Sequence, residues 1–303
     1  MSAGRADYLG RMRFSIWPSS AHSWDAWLRM TSAAEASGWD GVWVADHFMR
    51  NTDDAAGDMQ ECFSLLAGLA AAVPRLQLGS LVAGNTYRHP AVLANQARTI
   101  DHISNGRLTL GMGAGWQRNE HEAYGIDLPP TPELLARFEE ACQVVRGLRD
   151  EDWVTFDGEY YQLAGARLDP KPVGALPLLI GAAGEKVMPR IVAQYADQWN
   201  TWGTPERFAH KSAIMTRACE VAGRDPATLG RSTQALLVLD GDGPDVTAPV
   251  IAGGVQGIVD AVGAFSEAGL DELIVPDFHL ESVEESMHLW DTVIGEVAPH
   301  FRD

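Results

Sequence analysis

Residues 76–112 read LQLGSLVAGNTYRHPAVLANQARTIDHISNGRLTLGM and contain two strand-like runs on either side of a helix-like one. Leu76–Val82 and Arg107–Met112 are short and mostly apolar, as buried strands are. Pro90–Ser104 lies between them with helical spacing, and Pro90 suits the first turn of a helix. Strands joined by a helical crossover run parallel, so this stretch predicts one βαβ unit of a parallel sheet.

The same strand-then-helix pattern recurs along the rest of the chain. The other predicted pairs are Arg13–Trp17 with Trp24–Ser37, Gly41–Ala45 with Met59–Val73, Arg107–Met112 with Pro132–Leu148, Pro177–Ile180 with Glu185–Tyr195, Gln198–Thr201 with Pro205–Gly223, Ser232–Leu239 with Val255–Ala268, and Glu272–Val275 with Ser282–Val297. Eight such units favour a closed (β/α)8 TIM barrel over an open doubly wound sheet. The G-x-G-x-x-G turn typical of the open sheet is absent after the first strand, where the chain reads Trp17-Pro18-Ser19-Ser20.

One segment interrupts this alternation. Trp153–Pro172 has alternating apolar residues around Asp157-Gly158, a dipeptide typical of tight turns, and therefore predicts an inserted hairpin. We expect residues 13–303 to form a single domain with an insertion at about 153–172, preceded by an N-terminal tail at 1–12. The sequence leaves open whether the insertion acts as a lid or as a dimer contact.

The composition argues against several classes of protein. The chain has 41 acidic and 23 basic residues among 303, and its formal net charge of −18 disfavours binding to nucleic acids or to an anionic membrane surface. No apolar run approaches the roughly 20 residues that span a bilayer, and the N-terminus has no apolar signal-peptide core, so we expect a cytoplasmic protein. Cys62, Cys142 and Cys219 are far apart, which suits a reducing compartment and predicts no metal site.

In a barrel of this kind the chemistry lies at the C-terminal ends of the strands. Asp46 and His47 directly follow the apolar run Gly41–Ala45, and a histidine there can give or take a proton near neutral pH. Gly111–Gly115 and Gly181–Gly184 follow two later strands. Glycine lets a backbone approach a flat ring, and free N–H groups before a helix can bind a phosphate. Ordinary strand-to-helix turns also use glycine, and the residues alone leave both interpretations open.

Four tryptophans fall at or near the predicted strand ends. Trp43 and Trp199 lie within strand-like runs, where packing in the core is expected. Trp116 and Trp202 lie in predicted loops, where core packing and stacking on a bound ring are equally open. We retain Trp116 and Trp202 as candidate substrate contacts.

Five segments resemble, in order along the chain, motifs of the luciferase-like monooxygenase superfamily. They are E-x-x-G-W-D-G-V-W-V-A-D-H at 35–47, Leu78–Ala91, Asp101–Glu120, Pro177–Glu185 and Ala196–Asn200. The resemblance touches most of residues 13–202, and beyond that only the strand–helix rhythm matches.

This resemblance implies a flavin or deazaflavin lying across the barrel mouth. It implies that His47 handles a proton beside the reactive ring, that Asp46 contacts the ring, and that a non-proline cis peptide or bulge lies near Ser80–Leu81. The further cofactor contacts that it implies are Gly113, Ala114, Gly115, Asn119, Gly181, Ala182, Ala183 and Gly184. Asn85, together with the two loop tryptophans, is a predicted substrate contact.

Two branches of the superfamily differ in cofactor. One uses reduced FMN and oxygen as a monooxygenase, often with a separate reductase, and the other uses coenzyme F-420, an 8-hydroxy-5-deazaflavin that transfers hydride. Gly113–Glu120 and Gly84–Tyr87 resemble the F-420 branch more closely, so we favour hydride transfer to or from a small, fairly apolar substrate. Sugar-phosphate dehydrogenases of that branch carry glutamate where Trp116 stands and tryptophan where Asn51 falls. Their proton relay is therefore not carried over, and the second acid is open.

Two other functions remain open at this point. In an FMN-dependent monooxygenase, His47 would assist the formation or breakdown of a flavin hydroperoxide. A non-catalytic cofactor-binding barrel is disfavoured, because the mouth histidine and the glycine turns are both retained. A homodimer is common in the superfamily and is expected here, whereas the substrate and the direction of the reaction are left open.

Overall fold

The structure, a computed structural model, describes residues 11–52, 56–241, 243–244 and 246–302. Residues 1–10 of the expected tail at 1–12 therefore lie outside the described residues. Met12 is buried, and its N–H donates to the carbonyl of Phe301 at 3.3 Å. Arg11 forms an ion pair with Asp40. The last two residues of the expected tail thus belong to the folded barrel.

Eight parallel strands close into a barrel. The strands of the described chain are β1 (Arg13–Trp17), β2 (Gly41–Val44), β3 (Gln77–Ser80), β4 (Ala83–Gly84), β5 (Leu108–Gly113), β6 (Val154–Asp157), β7 (Gln162–Ala166), β8 (Leu178–Gly181), β9 (Gln198–Trp202), β10 (Gly230–Gln234), β11 (Leu236–Leu237), β12 (Val250–Ile251) and β13 (Glu272–Pro276). β1 pairs with β2 on one side and with β13 on the other, and β3 pairs with β5. The circular order is β1, β2, β3, β5, β8, β9, β10, β13, so the predicted (β/α)8 barrel is confirmed.

Helices connect the barrel strands. They are α1 (Trp24–Ser37), α2 (Cys62–Ala72), α3 (Pro90–Ser104), α4 (Arg118–Tyr124), α5 (Thr131–Asp150), α6 (Met188–Tyr195), α7 (Pro205–Val221), α8 (Gly254–Glu267) and α9 (Val283–Thr292). A π-turn over Val293–Val297 and a 3-10 turn over Ala298–Phe301 follow α9. The sequence did not predict α4, because seven residues are too few for a helical period to stand out. Among the described residues, no helix has both the length and the apolarity needed to cross a bilayer.

Two boundaries near the barrel mouth differ from the predicted ones. Trp202 is the last residue of β9 rather than part of a loop, because it pairs in register with β10. α6 begins at Met188 instead of Glu185. Proline is accommodated only in the first turn of a helix, so Pro189 sets this later start. The sequence had predicted a helix directly after the Gly181–Gly184 turn. In the structure, residues 185–187 lie between this turn and α6.

The inside of the barrel is filled by side chains. The Trp43 ring occupies the space beside Gly79, where an added Cβ would lie 2.3 Å from the ring. The indole N–H of Trp43 donates to Glu272 at 2.9 Å, and Ser15 and Arg13 donate to the same carboxylate at 2.6 and 2.7 Å. These three donors compensate the burial of a charge inside the barrel. The expectation that Trp43 packs in the core is confirmed.

A second part of the core lies between the strands and the helices. Trp199 is fully buried, and its ring stacks on Phe208 with centroids 5.8 Å apart. Phe208 contacts Phe265 edge-on at 5.7 Å. These rings come from β9, α7 and α8, so one aromatic column ties a strand to two helices. The expectation of core packing is confirmed for Trp199 as well.

The predicted insertion is an antiparallel hairpin formed by β6 and β7. Its connection spans residues 158–161. Glu140 on α5 accepts hydrogen bonds from the N–H groups of Glu159, Tyr160 and Tyr161 at 2.7 to 3.1 Å. One carboxylate therefore fastens the tip of the hairpin to α5.

Candidate active site

A non-proline cis peptide joins Leu81 to Val82 directly after β3. The sequence placed such a bond near Ser80–Leu81, one residue earlier. The Ser80 hydroxyl donates to the Gly111 carbonyl at 2.8 Å and accepts from the Gly111 N–H at 3.0 Å. A Cβ added at Gly111 would lie 1.9 Å from the Ser80 carbonyl oxygen. The hydroxyl of Ser80 thus fastens β3 to β5, and Leu81 enters an apolar cluster at the barrel mouth.

Several predicted cofactor glycines have a packing role in the chain itself. A Cβ added at Gly113 would lie 2.7 Å from a Val82 methyl group, and one at Gly181 would lie 3.1 Å from both Val82 methyls. Gly115 has φ +102°, and its Cβ would lie 2.8 Å from the Thr86 hydroxyl. Ala114 packs against the main core. These positions are small because the segment after β3 approaches them, and their contact with a cofactor stays a prediction.

His47 and Glu120 form the central polar pair of the mouth. Nδ1 of His47 lies 2.7 Å from Oε1 of Glu120, a carboxylate with no exposed surface. Glu120 also accepts hydrogen bonds from the Phe48 N–H at 2.8 Å and from the Tyr87 hydroxyl. The Trp116 ring stands edge-on to the imidazole with centroids 5.6 Å apart. Because an ionised carboxylate only accepts hydrogen bonds, Nδ1 donates to Glu120, and Nε2 has no hydrogen-bond partner in the described chain.

The surroundings of Glu120 set the protonation states of two residues. Burial alone would raise the pKa of Glu120, but hydrogen bonds from His47, Tyr87 and the Phe48 N–H outweigh it and hold the pKa below its ordinary value. Burial and the hydrogen bond to Glu120 raise the pKa of Tyr87 far above its ordinary value. At neutral pH Glu120 is therefore an anion, which stabilises a positive charge on His47 when the imidazole takes up a proton.

Asp46 is almost fully buried and already bonded to the chain. Arg88 donates to its two oxygens at 2.6 and 3.0 Å, and the Gly84 N–H donates at 3.0 Å. Arg88 also pairs with Glu61 at 3.2 Å. Asp46 therefore holds the segment after β4 against the end of β2, and its predicted contact with the cofactor ring stays a prediction.

The two predicted asparagine contacts lie in different surroundings. The Asn119 amide group donates to the Arg50 carbonyl at 2.8 Å and accepts from the Glu120 N–H at 2.9 Å, so it ties α4 to the segment after β2. Asn85 is buried, its Nδ2 donates to the Tyr161 hydroxyl at 3.3 Å, and its Oδ1 has no partner among the described residues. Asn85 lines a cleft of about 370 Å³ together with Thr86, Tyr87, Arg88, His89, Asp127, Leu134, Arg137 and Tyr161. A ligand N–H group would satisfy the unpaired oxygen.

The loop between β8 and α6, residues 182–187, presents free backbone groups. The Ala182 N–H donates to a carbonyl of β9 at 2.9 Å and is already occupied. The N–H groups of Ala183, Gly184 and the two residues after them have no acceptor in the part of the chain that the structure describes. A Cβ added at Gly184 would meet only Met188, at 3.7 Å. Consecutive unpaired N–H groups of this kind suit a phosphate.

A lysine stands beside this loop. Nζ of Lys211, on α7, donates to the Ala183 carbonyl at 2.5 Å and pairs with Glu185 at 3.0 Å. A basic side chain therefore stands next to the turn that the sequence offered as a phosphate site, and phosphate binding there stays a prediction. α7 follows β9, and the pairing of β9 with β8 brings its lysine to the loop after β8.

Aromatic side chains lie at the ends of three other barrel strands. Trp17 ends β1, Trp202 ends β9 and Phe278 follows β13. The Trp17 ring lies 5.6 Å from Trp202 and 4.8 Å from Phe278 between centroids. Trp116 is 62% exposed and Phe278 is 44% exposed. Sequence reasoning singled out Trp116 and Trp202 but missed Trp17 and Phe278.

The sequence also missed Glu120, one member of the central polar pair, and two further residues of the mouth, Tyr87 and Arg88. All three stand within segments that carry the family resemblance, which was the available signal. No period or spacing links them to His47 and Asp46, because they come from different βα units. Glu120 is the carboxylate that the structure places against His47, and the identity of a second acid stays open.

The residues present fit a flavin-type group. Leu81 and Val82 offer an apolar surface for a flat ring, Nε2 of His47 is available at its side, and the 182–187 loop offers unpaired N–H groups for a phosphate. Within the described residues, no group of three or more His, Cys, Asp or Glu side chains is arranged to hold a metal ion. A site without a metal stays a prediction.

The sequence profile of luciferase-like monooxygenases matches residues 8–252. The chain belongs to this family. The resemblance seen in five sequence motifs is thereby confirmed over most of the barrel.

Curated luciferase-like relatives carry two kinds of activity in their names. The F420-dependent glucose-6-phosphate dehydrogenase of Kineococcus radiotolerans is 38% identical over 215 residues, which are 69% of this chain and 62% of that protein. The pyrimidine monooxygenase RutA of Allorhizobium ampelinum is 36% identical over 183 residues, which are 59% of this chain and 48% of that protein. The chain therefore spans about half to three fifths of the length of the curated relatives it matches.

Solved structures share the fold over nearly the whole chain. An F420-dependent secondary alcohol dehydrogenase in complex with an F420-acetone adduct superposes with a TM-score of 0.84 at 20% identity, covering 97% of this chain and all of that one. The long-chain alkane monooxygenase LadA superposes with a TM-score of 0.78 at 12% identity, covering 96% of this chain and 91% of that one. At these identities the likeness shows the barrel fold alone.

Proposed function

We propose that this luciferase-like barrel is an oxidoreductase that binds coenzyme F-420 and transfers a hydride equivalent to or from a small organic substrate. The observation that carries the proposal is the pair of His47 and buried Glu120, which leaves Nε2 of His47 unpartnered at the barrel mouth. When bound, F-420 supplies or accepts the hydride at its central ring. The chain supplies the proton and the orientation.

His47 moves the proton in this proposal. Glu120 accepts from Nδ1–H and so selects the tautomer in which Nε2 accepts or returns the substrate proton. The anionic carboxylate stabilises the imidazolium that results. Tyr87 and the Phe48 N–H hold Glu120 in place, and burial keeps competing water away from that carboxylate.

The chain's contacts to the cofactor are proposed on the same geometry. Leu81 and Val82 would lie against the ring, and the 182–187 loop would bind the phosphate with Lys211 nearby. The full proposed set of cofactor contacts is Asp46, Ser80, Leu81, Gly113, Ala114, Gly115, Asn119, Gly181, Ala182, Ala183 and Gly184. Packing and hydrogen bonds already occupy four of these positions, namely Ser80, Gly113, Gly181 and Asn119. These residues would therefore contact the cofactor through their backbone atoms or act on it through neighbouring residues.

FMN stays the second candidate cofactor, because the relatives include a monooxygenase as well as an F420-dependent dehydrogenase. The F420-dependent relative from Kineococcus aligns over a larger share of this chain than the pyrimidine monooxygenase does, which supports F-420 first. The sugar phosphate named for that relative is not adopted as substrate, since Trp116 stands where the sugar-phosphate dehydrogenases carry glutamate. An FMN-dependent enzyme would use oxygen and could require a separate reductase.

Cofactor titration followed by tryptophan-fluorescence quenching tests the assignment. Oxidised F-420 and FMN are titrated separately into the wild type, His47→Ala and a control, His288→Ala, on the exposed side of α9. We expect tight binding of F-420 by all three proteins, because His47 acts on protons rather than holding the cofactor. Hydride transfer should fall by about 10²- to 10⁴-fold in His47→Ala alone.

The other outcomes decide between the alternatives. Preference for FMN over F-420 would move the assignment to an oxygen-dependent monooxygenase. Binding of neither cofactor would overturn the proposal and leave a barrel without this chemistry.

We also propose that residues 13–303 form one domain and that the protein is a cytoplasmic homodimer with a small-molecule substrate. The pairing of β1 with β13 supports a single domain, because the two ends of the described chain meet in one sheet. Three buried free cysteines support a reducing compartment. Sedimentation velocity would test the dimer, and a monomer at micromolar concentration would contradict it.

A further inference from the structure

We infer that Trp17, Trp202 and Phe278 form a subsite for a neutral, flat, ring-containing substrate. This inference rests on the proposed function and names the class of substrate that the site takes. These three residues are called the aromatic trough below.

The three rings of the aromatic trough differ in their exposure and in their orientation. Trp17 is 6% exposed and lies between the other two rings, tilted by 41° to Trp202 and nearly edge-on to Phe278 at 72°. Trp202 is half-buried, and Phe278 leaves 44% of its surface exposed. Large apolar rings that converge at the active face of a barrel and remain uncovered are typical of a ligand site.

The aromatic trough is continuous with the reacting centre. Trp17 belongs to one buried apolar cluster with Leu81 and Ala45, and Val82 and Trp202 pack against that cluster. Leu81 and Val82 flank the position proposed for the cofactor ring, and Ala45 precedes His47 by two residues. A molecule lying on the trough would therefore rest on the same apolar cluster as Leu81 and Val82, which are proposed to lie against the cofactor ring.

The charges near the trough are already compensated. Asp277, next to Phe278, has no exposed side-chain surface and accepts hydrogen bonds from Ser19 N–H, His22 and Ser286 at 2.7 to 3.1 Å. On the other side of Phe278, burial lowers the pKa of His279, so its imidazole is neutral at pH 7.

The trough itself therefore suits an uncharged ligand. Its three lining residues carry no charge, and a phosphorylated substrate would lose hydration on them without gaining a cation. Together with the proposed hydride transfer, the trough therefore points to a neutral ring compound such as a cyclic or aromatic ketone or alcohol.

Isothermal titration calorimetry on cofactor-saturated protein tests this inference. The probes are 1-indanone, cyclohex-2-enone and a hexose phosphate, titrated into the wild type, Trp202→Ala and Phe278→Ala. The matched control is Trp153→Ala, which removes a tryptophan that is 61% exposed and contacts Arg167 on the hairpin. We expect 1-indanone to bind the wild type and the control alike. Its affinity should fall at least about tenfold in each trough variant, equivalent to about 1.4 kcal/mol.

Cofactor affinity, measured first for every variant, separates the two proposals. If the wild type binds no cofactor, the proposed function is overturned. If the wild type binds the cofactor tightly but binds the hexose phosphate more tightly than 1-indanone, only the proposed substrate class is overturned. Unchanged affinity for 1-indanone in both trough variants, with melting temperatures near that of the wild type, would also overturn it.

Discussion

Nδ1 of His47 lies 2.7 Å from Oε1 of Glu120, although 73 positions separate the two residues in the chain. His47 follows β2 at the barrel mouth, and Glu120 lies on the short helix α4 that follows β5. Glu120 has no exposed surface and is held by two further donors. The pair therefore resembles the carboxylate–imidazole arrangement in which an anion orients a histidine for proton transfer.

Glu120→Gln is expected to lower turnover by about 10²-fold or more while leaving cofactor affinity nearly unchanged. The amide is neutral and no longer stabilises an imidazolium on His47. Steady-state kinetics with the substrate found for the trough would measure kcat and KM separately. Glu122→Gln is the matched control, because Glu122 lies on the same helix with its side chain 69% exposed. Equal losses in the two variants would refute a specific role for Glu120.

Arg88→Met is expected to reduce the free energy of unfolding by about 3 to 5 kcal/mol. The substitution leaves the carboxylate of Asp46, 1% exposed, buried without its ion-pair partner. Urea denaturation monitored by circular dichroism would measure the change. Arg29→Met breaks an ion pair with Glu284 whose members are 57% and 69% exposed, and should cost less than about 1 kcal/mol. Similar losses in both variants would contradict the buried-pair argument.

Gly111→Ala is expected to destabilise the barrel by more than about 3 kcal/mol or to prevent folding. An added Cβ would lie 1.9 Å from the Ser80 carbonyl oxygen, and neither backbone can move without separating β3 from β5. Gly263→Ala is the control, since a Cβ there meets nothing within 4 Å. In α8 it should stabilise the protein by up to about 1 kcal/mol. Thermal melts of both proteins would check the opposite signs.

Tyr87→Phe is expected to change the pH dependence of stability at alkaline pH. The pKa of Tyr87 is raised in the folded protein, so the unfolded chain loses this proton from about pH 10 while the folded chain keeps it. Wild-type stability should therefore fall as the pH rises beyond about 10, and the variant should fall less steeply. Urea unfolding at a series of pH values measures both curves, and parallel curves would disprove the linkage.

Glu120 contributes to the pH dependence of stability in the acidic range, with a sign opposite to that of Tyr87. Its pKa is lowered in the folded protein, so its contribution to stability is present above the unfolded value of about 4.3 and is lost as the pH falls through the folded value. The difference in unfolding free energy between the wild type and Glu120→Gln should therefore shrink on acidification below about pH 4. A difference that stayed constant down to pH 2.5 would show that Glu120 does not titrate as described.

The strand and helix positions could be predicted because their signals are local. Each βα unit carries its own apolar pattern, and boundaries differed by only a few residues where proline or strand pairing decided them. Pro189 delayed the start of α6, and pairing with β10 extended β9 to include Trp202. α4 was missed, since its seven residues contain too little pattern, and so were the two-residue strands β4 and β12.

The candidate site could be predicted only in part, for a related reason. His47 and the glycine turns stand out because each follows an apolar strand directly. Lys211 beside the 182–187 loop and the Trp17–Phe278 contact join segments that share no local pattern. Gly113 was selected for a bound ring and Gly181 for a phosphate, whereas the structure gives both a second reason to be small, the approach of Val82.

The sequence by itself determined the number of βα units, the inserted hairpin and the strand end that carries His47. Apolar periodicity, turn residues and helix caps act over a few neighbouring residues and can be read along the chain. The tertiary structure alone decided that Glu120 holds Nδ1 of His47, that Arg88 neutralises Asp46 and that three aromatic rings meet at the mouth. The first two contacts exist because β2, β3 and β5 are neighbours in the sheet, so that the segments after them meet. The aromatic rings meet because β1 pairs with β13 and closes the barrel.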